Sequence, residues 1–180
     1  GLYGNTNFIK TFKECRGKYI AICEGDDFWL DVNKLQIQFD FLEKNQSFSL
    51  CGSHVTMSNE FGKIIGDYPT INPFNVYPFE VKNIYNLADY IYYPYEIFHT
   101  SSIMMRNYPD LISDSNTFLY FSGTFALSIK LLFKGEGYLF DQCMSQYTLH
   151  SGGVFSSANK INNKKHILND YKLLQKEVPI

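Results

Sequence analysis

The strongest indicator of the fold class is Lys18-Tyr-Ile-Ala-Ile-Cys23, followed directly by Glu24-Gly25-Asp26-Asp27. The first six residues form a nearly continuous apolar run of strand formers, a pattern typical of a strand that is covered on both faces. Open α/β sheets bind their ligands beyond the carboxyl ends of the strands, and here that end carries three carboxylates. The sequence therefore predicts an α/β protein with this strand central in a mixed, mostly parallel sheet, and a site at its end.

Helices are expected to flank this strand. Apolar residues at three- and four-residue spacing predict one helix over residues 5–15 and a second that begins after Asp31 as its N-cap. The apolar face of the second helix would consist of Val32, Leu35, Phe39 and Leu42. The remaining chain predicts strands over 48–57, 100–106 and 138–147, helices over 83–92, 124–133 and 160–176, a hairpin turn over 58–63 and an irregular loop over 67–78.

Composition limits the class of protein. The chain has 180 residues, of which 45% are hydrophobic and 19% charged, as expected for a single globular domain. Sixteen basic and eighteen acidic residues give a formal charge of -2, which argues against a nucleic-acid partner. The four cysteines lie far apart without CxxC spacing, so we expect reduced thiols in a cytoplasmic protein. No apolar run approaches the length that spans a bilayer.

The acidic cluster predicts a cation site. Neighbouring carboxylates repel one another, and a divalent cation offsets that repulsion. Oxygen ligands favour Mg²⁺ or Mn²⁺, either of which would neutralise a diphosphate and stabilise it as a leaving group. The alternative is that Asp26 and Asp27 are turn and cap residues before the following helix. The residues alone leave both interpretations open.

Three motif blocks carry a resemblance. The first is the GKYIAICEGDDFWLDVNKLQIQFDFLE segment over 17–43, in which a strand runs into acidic residues, an aromatic pair and a KLxxQ helix. The second is His99-Thr-Ser-Ser102 with Met104 and Arg106, and the third is Tyr147-Thr-Leu-His-Ser-Gly-Gly-Val154. In this order they resemble the DxD-type, HTSS-type and YRxHxGG-type motifs of family 2 glycosyltransferases. That resemblance implies a partial GT-A (Rossmann-like) fold, with an acidic-motif part over 1–57, an acceptor-side part over 58–155 and a C-terminal helix over 156–180.

The resemblance also implies roles for individual residues. The donor-binding group would be Glu24, Asp26, Asp27 and His150. Within it, Asp26, Asp27 and His150 would hold the Mn²⁺ or Mg²⁺, with Asp26 as the leading ligand. The acceptor-binding group would be His99, Thr100 and Ser101. Phe28 and Trp29 are interpreted as packing that fixes the acidic loop, and both histidines could instead be structural residues satisfied by hydrogen bonds.

Two features depart from the family pattern. Ser122-Gly-Thr-Phe-Ala-Leu127 resembles an SGDWAL-type block whose aspartate is taken as the general base, and Thr124 stands at that position. A threonine hydroxyl does not accept a proton at neutral pH, so Asp114 or Asp110 in the preceding loop would have to substitute. In addition, we expect the chain to lack the family's first nucleotide-binding strand-helix units. A strand over 19–23 would then keep an unpaired edge, which favours a partner or a homo-oligomer.

The resemblance thus implies an inverting, metal-dependent glycosyltransferase that moves a sugar from a nucleotide-sugar donor, UDP-linked by expectation, to a glycan or lipid-linked acceptor. Peripheral membrane association of the parent protein is compatible with such an acceptor. The alternative is a truncated or degenerate, non-catalytic relative that binds sugar or a partner subunit. A metal-dependent phosphotransferase or nuclease fits less well, because neither a phosphate-binding glycine loop nor a basic groove is evident.

Overall fold

The computed structural model describes residues 2–70, 80–92, 96–111, 123–152 and 172. The helices are α1 (Leu2–Glu14), α2 (Lys34–Lys44), α3 (Leu87–Tyr92) and α4 (Gly123–Leu132), with a 3-10 turn at Thr100–Ser102. The strands are β1 (Tyr19–Ala21), β2 (Phe28–Trp29), β3 (Phe48–Asn59), β4 (Ile64–Tyr68), β5 (Ile84–Tyr85), β6 (Met104–Arg106) and β7 (Glu136–Leu149). The predicted mixture of helices and strands is confirmed. The loop predicted over 67–78 is described only as far as residue 70, and its first two residues belong to β4. Of the terminal helix predicted over 160–176, only residue 172 is described.

Within the described part of the chain, the strands form one mixed sheet in the order β1-β6-β3-β7-β2, with β4 added to β3 and β5 to β7. The long strands β3 and β7 pair in parallel, whereas every other described pairing is antiparallel. A mostly parallel sheet is therefore not confirmed. Nor is β1 central: among the described strands it pairs with β6 alone and ends the sheet.

Two hydrophobic clusters cover opposite faces of this sheet. Neighbouring side chains of a strand point to opposite faces, and Leu50 belongs to a cluster with α1 and α4 while Cys51 belongs to one with α2. Strand β1 divides in the same way, because Ile20 joins the first cluster and Tyr19 and Ala21 pack against the second. The prediction that this strand is covered on both faces is confirmed.

The buried ring of Phe98 fixes the chain that leads into the 3-10 turn. An added Cβ on Gly52 of β3 would come within 2.8 Å of this ring, and one on Gly137 of β7 within 2.6 Å. Only glycine at these two positions leaves room for the ring against the sheet. Residues 99–102 are thereby held close to the central strands.

Helix α2 differs from its predicted orientation. Its buried residues are Lys34, Gln38 and Leu42, while Leu35 and Phe39 are 42% and 41% exposed. Val32, 96% exposed, precedes the helix, and the N-cap is Asn33 rather than Asp31. The helical periodicity was correct, but the apolar stripe was wrong for three of its four members. The reason is a hydrogen-bonded contact of Lys34 and Gln38, described below. None of the helices in the described part of the chain has the length and apolarity needed to span a bilayer.

Candidate functional site

Three segments that are distant in sequence meet at one end of the sheet. They are the loop between β1 and β2, the turn at 99–102 before β6, and the end of β7 at 147–150. They correspond to the three motif blocks seen in the sequence. Because β2 pairs antiparallel with β7, with Phe28 opposite Gln146, the acidic loop is tied directly to the strand that leads to His150.

Asp27 is the buried anchor of the acidic loop. Its side chain is 8% exposed, and its Oδ2 accepts a hydrogen bond from the Ser101 hydroxyl. The Ser145 hydroxyl in turn donates to the Ser101 carbonyl at 2.9 Å. Burial raises the pKa of Asp27 and the Ser101 hydrogen bond lowers it. Its Oδ1 is buried and finds no hydrogen-bond partner within the described residues.

Trp29 and helix α2 hold the acidic loop against the turn at 99–102. The indole Nε1 of Trp29 donates to the Ser101 carbonyl at 3.0 Å, and the Lys34 Nζ lies 4.7 Å from the centre of the indole ring. Lys34 also donates to Gln38 Oε1 at 2.7 Å, and Gln38 Nε2 donates to the Ser102 carbonyl at 2.8 Å. Burial lowers the pKa of Lys34 to about 8. These contacts explain why two polar residues of α2 are buried.

Asp26 and His150 form the exposed part of the site. Asp26 Oδ2 lies 3.0 Å from His150 Nε2, and the two side chains are 50% and 30% exposed. A Cβ on Gly152 would lie 3.4 Å from His150 Nδ1, so the backbone passes close to the imidazole. The structure thus brings the acidic motif and the histidine of the third block into contact.

Glu24 and Cys23 complete the loop. Desolvation of its carboxyl, followed by the charges of Asp27 and Asp26, raises the pKa of Glu24 to about 7, although much of the residue is exposed. Desolvation and the same neighbouring carboxylates raise the pKa of the exposed Cys23 thiol, whose Sγ lies 3.6 Å from the Asp27 carbonyl. The loop therefore concentrates negative charge in a partly desolvated place.

His99 is held between aromatic rings. Its ring centroid lies 4.6 Å from that of Tyr147 and 5.5 Å from that of Tyr68, and its Nδ1 accepts from the Ser101 N–H at 3.3 Å as the cap of the 3-10 turn. Burial lowers the pKa of His99 to about 4, against the opposing charge of Asp26. Burial thus favours the neutral imidazole, and the bond from the Ser101 N–H is compatible with a structural role for His99.

The sequence reasoning missed Glu96. The Thr124 hydroxyl lies 2.8 Å from that of Thr100, and Thr124 also acts on the Glu96 carboxyl, where it opposes the rise of the pKa to about 8 that burial causes. Glu96 belongs to none of the three motif blocks, and a long stretch of chain separates it from Thr124. Its position just before the turn at 99–102 is the feature of the sequence that could have indicated it. Of the carboxylates named as substitutes, Asp110 pairs with Lys134, which follows α4 at the end opposite Thr124, and Asp114 lies outside the described residues.

The carboxylates of the acidic loop are suited to a cation that takes most of its ligands from phosphate oxygens and water. No group of three or more His, Cys, Asp or Glu side chains arranged to hold a metal ion is present among the described residues. Mg²⁺ and ions like it bind through one or two carboxylates and complete their shell with phosphate oxygens and water. The exposed Asp26 carboxylate and the unpartnered Asp27 Oδ1 fit that mode of binding.

Comparison with known proteins gives a short match. No protein-family model matches the chain. Three mycobacterial proteins are 32% identical to it over 68 residues: the uncharacterized proteins Mb1547 of Mycobacterium bovis and MT1570 and Rv1520 of Mycobacterium tuberculosis. The match covers 38% of this chain and 20% of each relative, so it spans about a fifth of their length. None of these names states an activity.

Proposed function

We propose that this chain carries the acidic loop and acceptor side of a metal-dependent glycosyltransferase with a partial GT-A fold, acting on a UDP-linked sugar. The observation that carries the proposal is the meeting of the three motif blocks through side-chain contacts: Asp26 with His150 and Asp27 with Ser101. These pairs join segments separated by 124 and 74 positions.

In this proposal Asp26, with Asp27 behind it, would hold a Mn²⁺ or Mg²⁺ ion. The cation would supply charge neutralisation for the departing diphosphate. The protein's own residues do the positioning: Ser101 and Trp29 hold the acidic loop, and His150 orients the Asp26 carboxylate. His99, Thr100 and Tyr147 form the wall that faces the acceptor. Inversion follows from a single displacement in which the acceptor hydroxyl attacks from the side opposite the diphosphate.

Binding and turnover of UDP-linked sugars test the proposal. The complete natural protein is mixed with Mn²⁺ and UDP-glucose, UDP-galactose or UDP-N-acetylglucosamine. Binding is followed by isothermal titration calorimetry, and turnover by release of UDP. We expect Mn²⁺-dependent binding, and a loss of about tenfold or more in affinity for Asp26→Asn, as for removal of one charge-assisted ligand.

The matched control is Asp40→Asn, because the Asp40 carboxylate bonds Gln36 Nε2 at 2.8 Å on α2. It should bind like the unmodified protein. If the complete protein neither binds nor turns over any of the three sugars with Mn²⁺ or Mg²⁺, the transferase proposal is wrong.

The second candidate is a non-catalytic relative that binds the donor without transferring it. Thr124 at the position of the family's base favours this candidate. It predicts tight, metal-dependent UDP binding without release of UDP from any of the three sugars. A gain of turnover on Thr124→Asp would show that the enzyme lacked only its base.

A further inference from the structure

We propose that Gln38 of α2, whose amide is oriented by Lys34, is a positioning residue for the cation site of the acidic loop. This inference rests on the proposed function. It requires that the Gln38 amide have one defined orientation, that it hold the turn which bonds Asp27, and that it lie too deep to touch a substrate itself.

Lys34 fixes the orientation of the Gln38 amide. Both side chains are 0% exposed, and the Lys34 Nζ donates to the Gln38 Oε1 at 2.7 Å. An ammonium group offers donors only, so the amide oxygen must face it. The amide nitrogen is thereby directed to two carbonyls, that of Ser102 at 2.8 Å and that of Cys51 at 3.5 Å. Gln38 thus ties the turn at 99–102 to strand β3.

The turn that Gln38 holds carries the bond to Asp27. Ser101, the residue before Ser102, donates from its hydroxyl to the Asp27 Oδ2. The Ser101 carbonyl accepts from side chains of β2 and β7, and Gln38 holds the Ser102 carbonyl from α2. Two successive peptide groups of the turn are therefore fixed, and with them the direction in which Ser101 presents its hydroxyl.

The Asp27 carboxylate depends on that direction. Asp27 is 8% exposed, its Oδ2 accepts from Ser101, and its Oδ1 is buried without a hydrogen-bond partner among the described residues. A bound cation would satisfy this oxygen, whereas displacement of the turn would leave the carboxylate without the contact that orients it. Loss of an outer residue that orients a metal ligand lowers metal affinity by roughly 10- to 100-fold.

The orientation of α2 supports a role for the buried pair of Lys34 and Gln38. With this pair inside, Leu35 and Phe39 are 42% and 41% exposed. Hydrophobic burial alone favours the opposite arrangement. Departures from the apolar pattern are expected at functional sites. The contact with the turn therefore decides which face of the helix is buried.

The test measures the UDP affinity of the complete natural protein by isothermal titration calorimetry, once with Mn²⁺ and once with EDTA. Gln38→Met keeps the length of the side chain but loses the amide contacts. We expect its Mn²⁺-dependent affinity to fall by about 10- to 100-fold and its affinity in EDTA to stay unchanged. Gln36→Met is the matched control, because Gln36 bonds Asp40 at 2.8 Å on the exposed side of the same helix. It should bind like the unmodified protein.

A paired variant separates positioning from stability. Gln38→Met leaves the Lys34 ammonium buried without its acceptor, which is strongly destabilising. Lys34→Met combined with Gln38→Leu removes both partners of the bond, and such a replacement by apolar groups of similar shape is nearly neutral for stability. This variant should lose the Mn²⁺-dependent affinity to the same extent while unfolding in urea like the unmodified protein.

The outcomes distinguish this inference from the proposed function. If both variants keep the Mn²⁺-dependent affinity, or lose affinity equally in Mn²⁺ and in EDTA, Gln38 does not position the cation site. If the unmodified protein shows no Mn²⁺-dependent binding of UDP, the proposed function is wrong and this inference with it.

Discussion

At the scale of single residues, Glu96 lies in surroundings that oppose its own charge. Its pKa of about 8 in the folded chain is above the ordinary glutamate value of 4.5. A raised carboxyl pKa stabilises the fold below about 4.5 and loses that contribution as the pH rises through 8. Glutamine mimics the neutral carboxyl. We therefore expect Glu96→Gln to become more stable than the unmodified protein as the pH rises, by a few kcal/mol, roughly, at pH 8.

Urea unfolding of both proteins at several pH values across this window checks the prediction. The exposed Glu60→Gln should show no such pH-dependent difference. A constant difference between Glu96→Gln and the unmodified protein would mean that Glu96 is ionised at ordinary pH.

Single residues also show how much of the candidate site could be predicted from the sequence alone. Asp26, Asp27 and His150 were predicted as one group, and Asp26 does meet His150 while Asp27 bonds the neighbouring turn. Glu96 was not predicted, because its contact with Thr124 depends on how the turn at 99–102 packs beside α4. Residue type and spacing carry local patterns, whereas contacts between distant segments depend on the completed fold.

At the scale of elements, helix α2 provides a matched pair of leucines. Leu42 is fully buried against Cys51 and Met104, and Leu35 is 42% exposed. Leu42→Ala should lower the free energy of unfolding by about 2–5 kcal/mol through lost burial and a cavity. Leu35→Ala should change it by roughly 0.5 kcal/mol or less. Chemical denaturation of both variants measures the difference, and similar losses would mean that Leu35 is covered in solution.

The same helix explains a wrong prediction. An apolar stripe predicts the buried face when hydrophobic burial decides the orientation of a helix. Here Lys34 and Gln38 bond each other, and Gln38 bonds the Ser102 carbonyl, so their polar groups are satisfied inside. Buried polar groups in folded proteins are hydrogen-bonded, as these two are. Periodicity located the helix but could not show which face those bonds would select.

At the scale of the whole molecule, the parts 1–57 and 58–155 form one sheet. Strand β1 pairs with β6, and β2 with β7, so each part completes the other. We expect a single cooperative unfolding transition. Trp29 fluorescence and far-ultraviolet circular dichroism should give coincident curves in urea. Two separated transitions would show that the parts fold independently.

A mostly parallel sheet was expected from the burial pattern of β1, which does not determine strand direction. A continuous apolar run indicates a strand covered on both faces, and such strands are commonest in parallel sheets. The run at β1 is indeed covered on both faces, yet it pairs antiparallel with β6. The burial of a strand can be predicted from its residue types, whereas the direction of the neighbouring strand depends on the path of the connecting chain.

The reactivity of the exposed Cys23 thiol, beside Glu24, depends on the charge of the acidic loop. Only the thiolate attacks electrophiles, and desolvation together with the neighbouring carboxylates now disfavours that form. A cation bound at Asp26 would offset part of this negative charge and favour the thiolate form of Cys23. The speed with which Cys23 is alkylated would then report, in the intact protein, whether the charge of the loop has been neutralised.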